Sequence, residues 1–183
     1  DADAAVANVV AAGGTVLAPA APVQPGGRAA VVRDTTGAVF GLWQRVAFGG
    51  AQVAGEPRSV CWTDLATFDL ANAEAFYAKV FGWAAAPRDY TGTGAPYLEF
   101  SAAHRAVAGL RPLPPEAAGA VPPHWLVTFD VDGHADAVAR CVAGGARIAL
   151  GPLDAGVGTY AHVIDPYGAA FGLIELDARF RLP

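Results

Sequence analysis

A small set of side chains in this 183-residue chain has the types needed for binding or acid/base chemistry. Asp64 lies in the run VCWTDLATFD, residues 60–69, which reads as a strand. Strand alternation puts Trp62 and Asp64 on one face. A carboxylate there is either a solvent-exposed strand end or a buried group that needs a partner or a function. Glu99 shares a face of APYLEFS with Tyr97, while Leu98 and Phe100 take the other, so Glu99 looks to a cavity or to solvent. His124, Leu126 and Thr128 alternate along one face of HWLVTFDV. His162 and Glu175 stand on two consecutive strands near the end of the chain. Asp64 with Glu175 would suit general acid/base work. His124 with Glu175 would supply two donors to a divalent ion, fewer than the three or four such an ion takes. His162 cannot join Glu175 on one ion. If the DPYG turn closes with an even loop, His162 lies opposite Phe171 and Glu175 sits roughly 13 Å further along at strand rise. With an odd loop the two point to different faces. No nucleophile–base pair, G-x-S-x-G elbow, P-loop or dinucleotide fingerprint is present.

These residues are positioned by a repeat. DTTGAVFGLWQ, residues 34–44, returns as DPYGAAFGLIEL, residues 165–176, with Gln44 at the place of Glu175. Upstream, AAVANVVAAGGTV matches DAVARCVAGGARI. In each, apolar residues at helical spacing precede a Gly-Gly stop. Val6, Val9 and Val10 in the first copy correspond to Val138, Cys141 and Val142 in the second, and each trio predicts one core-facing stripe. A short strand, a Pro/Gly loop and two strands joined by an Asp-led tight turn follow. Each copy therefore predicts helix–strand–strand–strand, and the second is completed by the strand at 124–131. Between the copies, Asp69 predicts the N-cap of a helix whose Leu70, Ala73, Phe76, Tyr77 and Val80 share a face. Three strands follow it.

The predicted class is α+β, built from βαβββ modules. Residues 1–45 form a partial module lacking its first strand, 46–58 a linker, 59–177 a complete pair (59–113 and 123–177) and 178–183 a tail. A single module leaves a sheet face uncovered and must pair to close a core. The partial module is expected to pair with a second copy of the chain, as a homodimer, or with a segment missing from it.

Composition narrows the function classes. The net charge is −5, the pI is about 5.2, and more than half the residues are apolar. Lys79 is the sole lysine and the eleven arginines are scattered, so no basic patch awaits nucleic acid. No apolar run approaches the roughly 18 residues of a membrane span. No leader pattern is visible. Cys61 and Cys141 lack metal-type spacing and read as buried thiols of a cytoplasmic protein.

The run WTDLATFDLANAEAFYAKVFGW, the two closing hairpins and PHWLVTFDVDGHADAVARCVAGGARI together resemble the vicinal oxygen chelate superfamily, which includes glyoxalase I, bleomycin-resistance proteins and extradiol dioxygenases. The resemblance covers nearly the whole chain and is nearest to two-domain bacterial members described as hydroxylase-like or glyoxalase-like. It implies paired βαβββ units in a curved, half-open mixed barrel with flanking helices. It also implies a divalent metal in the cavity, whose ligand positions fall on Trp62, near Gly109 or Leu110, near Leu126, and on Glu175. Only Glu175 has a ligand-type side chain. The leading expectation is therefore a protein that holds a small aromatic or cyclic molecule without a tightly bound metal. Trp62 would stack on it. Asp64, Glu99, His124, Leu126, Thr128, His162, Glu175 and Gln44 are the other candidate contacts. The alternatives are an enzyme of the same superfamily (a lyase, dioxygenase or hydroxylase-like protein), using a metal at His124 and Glu175 or acid/base groups at Asp64 and Glu175, and a regulatory, partner-binding module.

Overall fold

A computed structural model describes residues 1–24, 26–91 and 96–180. Pro25, Ala95 and the last three residues of the expected tail lie outside the described residues. Among the described residues, three α-helices and eleven strands in two sheets confirm the α+β class. In chain order they are α1 (Ala2–Ala11), β1 (Thr15–Val23), β2 (Gly27–Arg33), β3 (Val39–Arg45), β4 (Val60–Thr67), α2 (Leu70–Phe81), β5 (Ala84–Pro87), β6 (Leu98–Ala102), β7 (Arg105–Pro112), β8 (His124–Asp130), α3 (His134–Ala143), β9 (Arg147–Asp154), β10 (Gly158–Ile164) and β11 (Ala170–Leu176). The order β4-α2-β5-β6-β7 and β8-α3-β9-β10-β11 is βαβββ twice, and α1-β1-β2-β3 is the same unit without its first strand.

The chain forms two compact units, each drawn from several segments. Unit 1 holds residues 1–52, 65–87 and 97–125, and unit 2 holds 53–64, 88–96 and 126–183. In unit 1, β1-β2-β3 form an antiparallel sheet with β1 and β3 at its edges. Val9 of α1, Ala30 and Val32 of β2 and Leu42 of β3 share a core with Ala73, Phe76, Tyr77 and Val80 of α2. The partial module thus buries its helix face against α2. That helix begins where Asp69 accepts the Asn72 N–H and ends at left-handed Gly82, a position glycine takes without strain. Phe100, Ala108 and Leu110 join from β6 and β7.

Tyr77 is the hub of this core. Phe40, Phe76, Phe81, Trp83, Phe100 and Trp125 surround its ring with centroids 5.1–6.2 Å away. Its hydroxyl donates to Asp34 Oδ2 at 2.9 Å and accepts from Trp125 Nε1 at 2.9 Å. Asp34 Oδ1 accepts the backbone N–H groups of Thr36, Gly37 and Ala38 and the Thr36 hydroxyl. Asp34 therefore closes the β2–β3 turn with one oxygen and anchors α2 with the other. Burial, reinforced by the adjacent Asp34 charge, pushes the Tyr77 phenol far above its ordinary range.

In unit 2, β10 pairs antiparallel with β9 and β11, and β11 runs parallel to β8. Helix α3 packs Ala137, Val138 and Cys141 on Phe129, Val163, Phe171 and Leu173. Two expectations shift in the same way in both copies. Val10 and Val142 are exposed, and the buried stripe instead starts a turn earlier, at Ala2 and His134. Strands β1 and β9 also run through Pro19, Pro22 and Pro152, where the sequence suggested loops. Both are edge strands, which tolerate proline because an outward peptide needs no N–H.

Candidate functional site

The register of β10 and β11 decides which side chains can meet. His162 lies opposite Gly172, and Glu175 lies opposite Thr159. Glu175 lies three positions beyond Gly172, an odd offset, so the odd-loop alternative holds and His162 and Glu175 point to opposite faces. Glu175 shares its face with Leu173, which packs under α3. Its Oε2 accepts the backbone N–H of His134, the first residue of α3, at 2.7 Å. In the other copy, Gln44 Oε1 accepts the N–H of Ala2, the first residue of α1, at 2.9 Å. The repeated position is a helix cap delivered by the closing strand. The copies differ in charge for a local reason. Helix α1 has Asp1 as N-cap, whose carboxylate also accepts the Ala4 N–H. Helix α3 has Gly133, which offers no side chain. A carboxylate at 175 supplies the negative charge that a helix N-terminus favours and that Asp1 already gives α1.

The opposite face of unit 2 carries the polar constellation. Thr128 sits beside Gly172 in the parallel β8–β11 pair, and Leu126, Thr128 and Asp130 alternate onto that face, all buried. Tyr160 and His162 join it from β10, both half-buried. A Cβ on Gly172 would stand 2.5 Å from Thr128 Oγ1 and 2.7 Å from the Tyr160 ring. Glycine is thus what lets a hydroxyl and an aromatic ring converge over β11. Thr128 is 3 % exposed and its Oγ1 has no hydrogen-bond partner. The Thr128 carbonyl faces Cys61 Sγ at 3.5 Å, and the Leu126 carbonyl accepts from Thr63 Oγ1 at 3.1 Å. Burial first, and then the Asp130 charge, pushes the Cys61 thiol up to about 11, so it stays protonated and unreactive at neutral pH. Asp130 Oδ1 accepts the Leu176 N–H.

Trp62 and Asp64 share a face of β4, both half-buried and neither of them free. Glu99 stands in β6 of unit 1, opposite Ala86 and Gly109, on the side away from Phe100 and the α2 core. His124 opens β8 in unit 1, with Nδ1 at 2.8 Å from the Pro122 carbonyl oxygen and a buried Nε2 that has no partner. Asp130, Tyr160 and Gly172 were not among the sequence candidates. The one signal for them was a glycine in mid-strand, repeated as Gly41 and Gly172.

The metal reading can be tested on these donors. Glu175 is committed to the α3 N-terminus, and no three His, Cys, Asp or Glu side chains among the described residues gather closely enough to hold an ion. Among the described residues the donor set does not fit a divalent metal. No helix among the described residues is long and apolar enough to cross a membrane.

Repeated βαβββ units with a polar constellation on the sheet face opposite the helix define a glyoxalase-like fold. The sequence model of the Glyoxalase/Bleomycin resistance protein/Dioxygenase superfamily matches residues 59–173, and the chain belongs to that superfamily. It is 38 % identical over 176 residues to the anthracycline biosynthesis protein DauV of Streptomyces sp. (strain C5), and 37 % identical over 176 residues to DnrV, the anthracycline biosynthesis protein of Streptomyces peucetius. Each alignment covers 96 % of this chain and 62 % of the relative, so the chain spans less than two thirds of their length. In three dimensions it resembles the Mn(II)-bound glyoxalase of Novosphingobium aromaticivorans, with a TM-score of 0.62, 22 % identity, and coverage of 96 % of this chain and 59 % of that one. At that identity the likeness is one of fold.

Proposed function

We propose that this chain binds a flat, fused-ring aromatic molecule bearing carbonyl or hydroxyl oxygens on the Thr128–Gly172–Tyr160–His162 face of unit 2. The observation that carries the proposal is the Thr128 hydroxyl, buried and without a hydrogen-bond partner beside an aromatic ring. An unmade buried hydrogen bond costs about 1–3 kcal/mol. A ligand oxygen that completes it recovers much of that cost, while Tyr160 offers a ring edge or face for stacking. His162 opposite Gly172 adds a second polar group to the same face. The names of DauV and DnrV point to anthracyclines, whose ring system has this chemistry, as the class to try first.

The test is a fluorescence titration of the 183-residue chain with an anthraquinone. Saturable one-site quenching of the tryptophans is expected, and Thr128→Val should weaken it about tenfold, the equivalent of roughly 1.4 kcal/mol. Valine keeps the branched shape and removes the hydroxyl. Absence of saturation across a panel of fused-ring aromatics, or binding by the Thr128→Val variant as tight as the parent's, would reject the reading.

A further inference from the structure

The outer strand of each copy slips twice against its neighbour, at matching places. On β1, Val16, Ala18 and Ala21 face Val32, Val31 and Ala29 of β2. On β9, Ile148, Leu150 and Leu153 face Val163, His162 and Tyr160 of β10. Five steps along the outer strand thus meet three along the inner one, so each outer strand carries two extra residues, one on either side of the partner of Val31 or His162. Such extra residues are β-bulges, which bend a strand and re-aim the side chains beside them. The copies build the second bulge differently. Pro19 and Ala20 stand between Ala18 and Ala21, whereas Gly151 and Pro152 stand between Leu150 and Leu153. Gly151 is left-handed, with φ +92°, a conformation closed to proline and costly for any residue with a Cβ. The bulge by itself therefore does not require glycine, since β1 forms one with Pro19.

What Gly151 permits is a close approach to Tyr160. A Cβ at 151 would stand 2.6 Å from the Tyr160 carbonyl oxygen and 3.1 Å from the Ala161 Cα. On the other side of β10, a Cβ at 172 would stand 2.7 Å from the Tyr160 ring. The approaches of 2.6 and 2.7 Å are both closer than the 3.0 Å that real Cβ contacts respect. Tyr160 is thus held between two glycines, Gly151 against its main chain and Gly172 beneath its ring. A methyl group at 151 would press the Tyr160–Ala161 peptide away from β9, toward β11 on the far side. The ring would move with it, across the spot above Gly172 that Thr128 Oγ1 also borders at 2.5 Å. In the other copy the counterpart of Tyr160 is Ala29, which has no ring to aim, and the counterpart of Gly151 is Pro19. The left-handed glycine and the aromatic ring occur together, in the copy that carries the polar face.

We propose that Gly151 is a positioning residue of the ligand face: by letting β9 close on the Tyr160 main chain, it sets the Tyr160 ring over Gly172 beside the Thr128 hydroxyl. The inference rests on the fused-ring reading of that face. The test grafts the other copy's bulge, Gly151→Pro with Pro152→Ala, a sequence that β1 accommodates in a doubly bulged strand. The graft should keep the far-ultraviolet circular dichroism spectrum and weaken anthraquinone binding at least about tenfold in the tryptophan titration. In the ligand-free protein, the ring current of Tyr160 should displace the Thr128 methyl proton resonance, and the graft should abolish that displacement. Should the graft not fold, Gly151→Ala takes its place under the same two measurements. Gly145→Ala is the control for stability. It alters another left-handed glycine of unit 2, where a Cβ would meet Pro166 at 3.3 Å, and it should lower the melting temperature without loss of affinity. A folded graft that binds as tightly as the parent, or that keeps the Thr128 methyl displacement, overturns this inference and leaves the reading of the face intact. A parent chain that binds no fused-ring compound overturns that reading instead, and the methyl resonance then still decides whether Gly151 aims Tyr160.

Discussion

Glu175 is the residue whose chemistry the sequence raised and left open, between a ligand contact and a structural hydrogen bond to backbone, and its Oε2 accepts the His134 N–H. Its spacing from the turn, its charge and its place on a closing strand gave no sign of which face it takes. That depends on whether the DPYG loop holds an odd or an even number of residues, and a one-residue difference moves a side chain to the other face. The pairing of Gly172 with His162 settles it. Gln44 carried the better clue, since a neutral amide at the repeated position fits a hydrogen-bond acceptor rather than a metal ligand. A cap of this kind has a modest and predictable energy. Glu175→Ala should lower stability by about 1 kcal/mol in urea unfolding, and Gln44→Ala by a similar amount or less, because α1 keeps Asp1. Glu175→Gln should retain most of the stability, losing only the few tenths to about 1 kcal/mol that a charge gives a helix N-terminus. Anthraquinone binding should be unchanged in all three.

At the scale of elements, the repeat was legible because its punctuation is chemical: Gly-Gly after a helix, Asp and Gly at fixed places in a turn. The extents of the elements were less so. Proline in β1 and β9 reads as a break, yet an edge strand absorbs it without loss. The helical stripe was placed one turn late because valines are more conspicuous than Ala2 and His134, the residues that the sheet covers. The two mid-strand glycines show how one sequence signal serves two settings. Gly172→Ala would drive a methyl group into Thr128 Oγ1 and the Tyr160 ring, and should cost about 1–3 kcal/mol through overpacking. Gly41→Ala meets only the Ala30 carbonyl oxygen, at an ordinary contact distance of 3.9 Å, and it should be neutral or slightly stabilising, since a strand loses entropy to glycine. Thermal melts of the two variants at one low concentration compare them directly.

For the molecule as a whole, fold and family were readable, and Leu126, Thr128 and His162 were among the candidate contacts, but their meeting with Tyr160 over Gly172 was not. The members of that face come from β8, β10 and β11, whose lateral order depends on a parallel pairing that no local pattern announces. The core of unit 1 was likewise only half visible. The α2 stripe was plain, but Asp34 meeting Tyr77 joins residues 43 positions apart. That contact gives a global readout. The unfolded chain releases the Tyr77 proton near pH 10, while the folded chain holds it to higher pH. Between those values the native state binds more protons, so stability falls as pH rises above about 10. Denaturant midpoints should show this fall, and Tyr77→Phe should flatten it while costing about 1 kcal/mol at neutral pH through the lost hydroxyl contacts. The caps supplied by Gln44 and Glu175 carry a separate consequence, for synthesis. Each helix is translated about forty residues before the acceptor that completes its first turn. On the ribosome, a nascent α3 waits with no side-chain cap until its hairpin emerges, and α1 waits with only Asp1, so the start and finish of a copy must settle together.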